Sequence, residues 1–297
     1  MLIGWMQDTH THTDLNATEP GAQQEFVDDY DYLVNNVGVS TLYHGGDVVH
    51  ADEPDEAVPH ADPSAFERFF ELASQTTDGG DTLARLVPGN HDVPLSTFLA
   101  ADDRCVLRDR IDYPGDDLTV LFVNTQATGI VTGSPGDGDQ GGVGTEVCRV
   151  AADDVRWLDA QLGDADALGH AVLLVPHAAL TPIPSASYSR VNGYNGQLDG
   201  NSLYNIVVNH DEVHGVLADH AAGTGGLDIV VPVSHLYQFD GEGSETIDNV
   251  HYAYKNHYWR GSEFETFAYI DMTGASATVT IVDHDTRSET VVLDVTF

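Results

Sequence analysis

The sequence predicts a layered α/β fold, and three observations support this prediction. Short apolar runs rich in β-branched residues recur along the chain, which is typical of strands buried on both faces. Helical patterns lie between several of these runs, which favours parallel strands joined by helices. The hydrophobic fraction of 41% is sufficient for a buried core, and 297 residues predict a single large domain over 1–297.

The predicted elements can be followed in order along the chain. The apolar runs that predict strands are 39–43, 86–87, 119–123, 171–175 and 228–231. Segments 63–72 and 153–162 predict helices, and the second begins with acidic residues, which are favourable at a helix amino terminus. From Glu263 onward, alternating segments at 267–270 and 277–282 predict antiparallel strands that close the fold.

Two stretches have a different composition from the rest. Residues 129–146 are dominated by Gly, Asp and Thr, and they predict a surface loop between strands. Residues 181–212 are rich in Pro, Ser, Tyr, Asn and Gly, and they predict a polar insertion that serves as a functional loop or lid. Arg190 lies in this insertion and is a candidate for substrate binding, with an ordinary surface-loop residue as the alternative.

The chain is strongly acidic. It has 48 Asp and Glu against 11 Lys and Arg, a formal net charge of -37, and Lys255 is its only lysine. The acids are spread over the whole length, which predicts a solvated surface adapted to molar salt, of the kind that extreme halophiles use, because such salt screens the self-repulsion. Calcium binding is the alternative, but the sequence has no Asp-x-Asp-x-Asp-Gly loop of the EF-hand type.

The same composition excludes several classes of function. Nucleic-acid binding through a basic face is not expected with this charge balance. Cys105 and Cys148 are the only cysteines, and two cysteines in a chain of this size do not predict a disulfide framework. The sequence shows no signal peptide and no apolar run of the roughly 20 residues that cross a bilayer. We therefore expect a cytoplasmic protein without a membrane partner.

Residues able to bind metals occur in short pieces at the ends of the predicted strands. In order, these pieces are Asp8-Thr9-His10, Gly46-Asp47, Gly89-Asn90-His91-Asp92, Pro176-His177 and Ser234-His235-Leu236-Tyr237. Because the carboxyl ends of parallel strands lie at one edge of a sheet, we expect these pieces to meet in space. Carboxylates, an amide oxygen and imidazoles together suit Mn, Fe or Zn.

The order of these pieces resembles the calcineurin-like metallophosphoesterase family. That family has the pattern Asp-x-His, Gly-Asp, Gly-Asn-His-Asp/Glu, a single His and then Gly-His-x-His. The resemblance extends from Asp8 to Tyr237, and Gly89-Asn90-His91-Asp92 is its most specific part. It implies a four-layer α/β/β/α sandwich and hydrolysis of a phosphomonoester or phosphodiester, a small-molecule phosphoester, by a hydroxide held between two transition metal ions.

The resemblance also implies a role for each matched residue. Asp47 bridges both metals, Asp8 and His10 bind metal one, and Asn90, His177 and His235 bind metal two. His91 is not a metal ligand in this scheme. Instead it faces the phosphate, and either stabilises it or protonates the leaving oxygen. Asp92 accepts a hydrogen bond from His91 and fixes its orientation.

The final piece departs from the family pattern at two positions. Ser234 stands where the family has glycine, and Tyr237 stands where it has a histidine that binds metal one. Three arrangements stay open at this point. His50, which follows the bridging Asp47 by three residues, replaces the lost imidazole, Tyr237 binds the metal directly, or metal one is weakly bound.

Two other functions compete with a phosphoesterase. The first is a non-catalytic relative that keeps the fold as a binding scaffold, which the loss of a ligand at Tyr237 favours. The second is an iron protein that handles electrons or oxygen, which only Tyr237 suggests. Six matched ligand positions and His91 favour the enzyme.

Overall fold

The structure is a computed structural model that describes most of the chain. The described residues are 1–9, 11, 20–49, 63–76, 82–90, 92, 94–126, 130–131, 145–146, 148–183, 206–223, 225–234, 242–255 and 266–297. Within them, none of the helices combines the length and the apolar character that crossing a lipid bilayer requires.

Two six-stranded sheets form the centre of the fold. The first sheet contains β1 (Leu2–Met6), β2 (Thr41–His44), β3 (Leu83–Leu86), β12 (Thr266–Thr273), β13 (Ser276–Asp283) and β14 (Glu289–Thr296), in the order β14-β13-β12-β1-β2-β3. The second contains β4 (Arg108–Tyr113), β5 (Leu118–Val123), β8 (Ala171–Val175), β9 (Ile229–Val233), β10 (Gly243–Ile247) and β11 (Val250–Tyr254), in the order β10-β11-β9-β8-β5-β4.

Each sheet combines parallel strands with antiparallel strands. Strands β1, β2 and β3 run parallel, as do β5, β8, β9 and β11. The antiparallel additions are β12, β13 and β14 in the first sheet and β4 and β10 in the second. The carboxyl ends of the parallel strands therefore provide the edge on which a ligand crevice is expected.

Helices cover the outer face of each sheet. They are α1 (Pro20–Asp31, continued by a π-helical segment Tyr32–Val37), α2 (Pro63–Ala73), α3 (Leu95–Ala101), α4 (Ala152–Leu168) and α5 (His210–Ala221). The first three pack on the first sheet through residues such as Phe66 and Phe69, and the last two pack on the second sheet through Leu158 and Leu217. Asp153 and Asp154 lie in the first turn of α4, as the sequence predicts.

A third apolar layer lies between the two sheets. Trp5 from the first sheet and Phe122 from the second both belong to it, and both are buried. Tyr43 stacks edge-on against Phe122, with ring centroids 4.9 Å apart. One apolar layer lies between the two sheets, and another lies between each sheet and the helices that cover it. This arrangement confirms the four-layer α/β/β/α sandwich.

The structure differs from the sequence prediction in several segments. Two short antiparallel strands, β6 (Ile130–Val131) and β7 (Thr145–Glu146), lie in the stretch 129–146 that predicts a loop. Helix α5 begins at His210, so the last residues of the predicted insertion 181–212 are helical, and residues 184–205 of it lie outside the described part of the chain. Strand β4 has no apolar run; it forms because it pairs along its whole length with β5.

Candidate metal centre

The described candidate ligands lie just beyond the carboxyl ends of four strands. Asp8 follows β1, Asp47 follows β2, Asn90 follows β3 and His177 follows β8. The first three strands belong to one sheet and β8 belongs to the other, so the site lies where the two sheets meet. These four residues are nearly or completely buried.

The side chains of these residues converge on one small volume. Ligand atoms of Asp8, Asp47 and His177 all lie within 4.8 Å of one another. His177 Nε2 lies 3.1 Å from Asn90 Oδ1 and 3.6 Å from Asp47 Oδ2. Four residues that the sequence predicts as ligands are thus brought together by the fold.

The hydrogen bonds of His177 indicate which of its nitrogens is available to a metal. Its Nδ1 lies 2.9 Å from the carbonyl oxygen of Gly45, which can only accept a hydrogen bond. This contact is shorter than the 3.3 Å contact of Nδ1 with Gln7 Nε2, which donates instead to the His177 carbonyl at 2.9 Å. The proton is therefore on Nδ1, and the lone pair of Nε2 faces the oxygens of Asn90 and Asp47.

The backbone of the two aspartates is in an unusual conformation. Asp8 has φ 64° and Asp47 has φ 52°, in the left-handed region that non-glycine residues rarely occupy. Asp8 N–H donates to Gly46 O at 2.9 Å, so the two turns are joined directly. Left-handed residues that the surrounding structure holds in place cluster at functional sites, and here both are candidate ligands.

Two glycines allow these turns to pack closely. A Cβ on Gly89 would collide with the backbone nitrogen and the carboxylate of Asp47. Gly46 has φ 102°, and a Cβ there would lie 2.6 Å from Gly89 N and 2.8 Å from His177 Nδ1. The Gly-Asp and Gly-Asn-His-Asp pieces therefore need their glycines because the loops after β2 and β3 lie against each other.

Asp92 joins the same two loops through backbone amides. Its carboxylate accepts hydrogen bonds from Val48 N–H at 3.1 Å, Val49 N–H at 3.1 Å and Gly89 N–H at 2.9 Å. Burial raises the pKa of Asp92 to about 6, although these amides lower it in part. The role predicted for Asp92 toward His91 is not tested, because His91 lies outside the described residues; the contacts described position the metal-site loops.

His44 is a buried residue at the site to which sequence analysis gave no role. Gly46 N–H donates to its Nδ1 at 3.2 Å, so Nε2 carries the proton and donates to Thr9 Oγ1 at 3.1 Å. Thr9 in turn donates to Val48 O at 3.1 Å. Burial lowers the pKa of His44 to about 3, so the ring is neutral and links the loops of Asp8 and Asp47.

Ser234 and Lys255 border the Asp8 side of the site. Ser234 Oγ donates to Asp8 Oδ2 at 2.7 Å, and Lys255 Nζ donates to Ser234 Oγ at 3.1 Å. Both residues are fully buried. The sequence offers one signal for each, since Ser234 departs from the family pattern and Lys255 is the only lysine in the chain.

The remaining predicted site residues lie outside the described part of the chain. They are His10, His50, His91, Arg190, His235 and Tyr237. Their roles remain predictions, and so do the three alternatives for metal one.

The described residues fit a transition metal ion. Two carboxylates buried close together are costly unless a cation or hydrogen-bond donors balance them. The imidazole Nε2 and the amide oxygen present further acceptor atoms to the same volume, a set that suits Mn, Fe or Zn.

Comparison with known proteins gives similarity in structure and none in sequence. No protein-family model matches the chain, and no curated protein matches it. It is similar to a dimetal phosphatase from Danio rerio, with a TM-score of 0.68 and 13% identity over 98% of each chain. It is also similar to GAP50, the anchor in the inner membrane complex of Plasmodium, with a TM-score of 0.56 and 11% identity over 100% of this chain and 88% of the other. The chain therefore has the metallophosphoesterase fold.

Proposed function

We propose that this chain is a phosphoesterase that hydrolyses a phosphomonoester or a phosphodiester with the help of two bound transition metal ions. The observation that carries the proposal is the buried group of Asp8, Asp47 and His177, whose ligand atoms lie within 4.8 Å of one another. This group lies at the sheet edge where ligands bind in open α/β folds. The similarity in fold to a dimetal phosphatase supports the same activity.

The ligand roles proposed are those that the family resemblance implies. Asp47 would bridge the ions, a role supported by its carboxylate lying in one group with ligand atoms of Asp8 and His177 and 3.6 Å from His177 Nε2. Asp8 and His10 would hold the first ion, and Tyr237 or His50 is the candidate for completing that site.

The second ion would be held by its own set of ligands, which are Asn90, His177 and His235. When bound, the two ions would activate a water molecule and offset charge on the phosphoryl oxygens.

His91 and Asp92 complete the proposed site. His91 would face the phosphoester and would either stabilise the phosphate or supply a proton to the leaving oxygen; proton transfer of this kind is typically worth 10²- to 10⁴-fold in rate. Asp92 holds the loops that carry Asp47 and Asn90 at their present separation, through the amides of Val48 and Gly89. Its role is to position other residues.

The test is metal content and hydrolysis of a panel of phosphoesters, beginning with an aryl phosphate, in molar KCl. We expect two metal ions per chain and metal-dependent turnover. Asp47→Asn is expected to lose both ions and all turnover, whereas His91→Ala keeps both ions and loses ~10²–10⁴ in kcat. Two ions retained in Asp47→Asn would contradict the bridging role, and metal loss in His91→Ala would make His91 a ligand.

A binding scaffold is the second candidate function. The departure at Tyr237 favours it, because the family pattern has a histidine that binds metal one at that position. The similarity in fold to GAP50, an anchor by its description, is consistent with this function. A folded protein that binds no metal and hydrolyses no member of the panel would establish the scaffold in place of the enzyme.

A further inference from the structure

Lys255 occupies an unusual position for the only lysine of an acidic chain. It follows β11 directly, its side chain is fully buried, and its backbone N–H donates to Val233 O at 3.2 Å. Lysine is rarely buried completely unless it is paired, because its ammonium loses hydration. The single lysine of a chain with 48 acidic residues therefore lies in the interior and cannot act at the surface.

The ammonium group has partners from both sheets. Nζ donates to Ser234 Oγ at 3.1 Å, at the end of β9, and to Thr266 O at 3.0 Å, at the start of β12. It also lies 5.2 Å from the centroid of the Trp5 ring on β1, within the range of a cation–π interaction. These contacts hold the charge at a fixed place between the sheets.

Ser234 connects this charge to a candidate metal ligand. Its hydroxyl accepts from Lys255 and donates to Asp8 Oδ2 at 2.7 Å. Asp8 and Asp29 both favour the charged form of Lys255, although burial outweighs them and lowers its pKa to about 8. The ammonium therefore predominates at pH 7, two hydrogen bonds away from the carboxylate of Asp8.

We propose that Lys255 is a built-in cation for the Asp8 half of the centre: through Ser234 it holds Asp8 in place, and its charge weakens metal binding on that side. A metal ion at Asp8 and the ammonium compete for the same negative field, so each lowers the affinity of the site for the other. The inference rests on the proposed metal site, and it gives the two ions unequal affinities. The Lys255 ammonium also offsets negative charge of the buried carboxylates when no metal ion is bound.

The test measures the affinity of the metal-stripped protein for Mn²⁺ by calorimetry at pH 7.5 in molar KCl. In Lys255→Met we expect the weaker Mn²⁺ site to bind about tenfold more tightly or better, because the repulsion between the ammonium and the ion is removed. The same variant should unfold more readily than wild type without metal, and the difference should shrink when Mn²⁺ is bound. Lys255→Arg keeps the charge and is expected to restore wild-type affinity.

Tyr252→Phe, on the strand that directly precedes Lys255, provides a matched control. Tyr252 is also fully buried, and its hydroxyl bonds to His214 Nδ1 at 2.8 Å on the helix-covered face. Loss of the Tyr252 hydroxyl should lower the free energy of unfolding equally with and without Mn²⁺, and it should leave the affinity for Mn²⁺ unchanged. An affinity in Lys255→Met that is equal to or weaker than that of wild type would overturn the proposal.

A measurement on the wild-type protein covers the case in which Lys255→Met does not fold. Because the chain has one lysine, selective labelling of lysine gives a single side-chain ε signal in an NMR spectrum. Mn²⁺ added until both sites are filled should broaden this signal strongly, since the ion at Asp8 is close to it; an unbroadened signal would refute the proposal. Neither measurement uses a phosphoester, so failure of hydrolysis would count against the proposed function and leave this result intact.

Discussion

The neutral, buried His44 leads to a prediction about acid stability. Burial lowers the pKa of His44 in the folded protein to about 3, and the charge of Lys255 lowers it further while Asp8 opposes both. In the unfolded chain the pKa returns to about 6.5. A folded-state pKa below the unfolded value means that stability is fully present above about pH 6.5 and is lost as the pH falls toward 3.

The size of the effect follows from the two pKa values. At pH 5 the unfolded chain is protonated at this residue and the folded protein is not. The titration of His44 alone therefore lowers the free energy of unfolding by about 2 kcal/mol at pH 5 relative to neutral pH. Many other groups also titrate over this range, so the absolute stability is not informative. The informative quantity is the difference in unfolding free energy between wild type and His44→Gln, in which position 44 does not titrate.

We therefore expect His44→Gln to be less stable than wild type at pH 7.5, and this difference to shrink by about 2 kcal/mol at pH 5. The assay is urea unfolding in molar KCl with EDTA, so that metal binding does not contribute. Phe69→Leu is the control, because Phe69 packs edge-on against the His44 ring with centroids 5.4 Å apart and does not titrate. A difference for His44→Gln that is the same at both pH values would refute the reasoning.

Three further predictions concern the loops, the core and the surface. Gly89→Ala should weaken Mn²⁺ binding at least tenfold by calorimetry, because its Cβ would displace Asp47; Gly115→Ala, whose Cβ meets no atom within 4 Å, should have no effect. Asp29→Asn should cost roughly 2–3 kcal/mol in urea unfolding, since buried Asp29 pairs with His284 and with Arg287; an unchanged midpoint would contradict this. The thermal midpoint should rise steeply from dilute buffer to several molar KCl, because the repulsion from the net charge of -37 is then screened. A midpoint that does not change with KCl would contradict the predicted adaptation to salt.

The sequence predicted the central strands and the proximity of the four described candidate ligands for a clear physical reason. The strands at 119–123 and 171–175 are buried on both faces, so their apolar runs are visible without any tertiary information. Asp8, Asp47, Asn90 and His177 follow parallel strands, and parallel strands bring their carboxyl ends together. Order along the chain was therefore enough to predict proximity in space.

The elements that sequence analysis missed depend on contacts between distant residues. Strand β4 is mostly charged and half-exposed, and its Arg110 pairs with Asp112 at 2.9 Å. Helix α5 contains Gly215 and polar residues over most of its surface, so its apolar stripe of Val213, Leu217 and Ala221 is narrow. Both segments have weak local signals and are stabilised mainly by the sheet that they cover or extend.

The residues that hold the site in place were missed for a related reason. His44 and Lys255 have no motif, and their importance comes from burial beside loops that are distant in sequence. Because His44 is neutral, it joins the loops of Asp8 and Asp47 without adding positive charge, and it does not compete with a metal ion. Lys255 differs because its charge acts on Asp8 through Ser234. The two sides of the centre are thus supported by different chemistry, and this predicts that removing each residue will change metal affinity in opposite directions: weaker without His44, which only positions ligands, and tighter without Lys255, which also repels the ion.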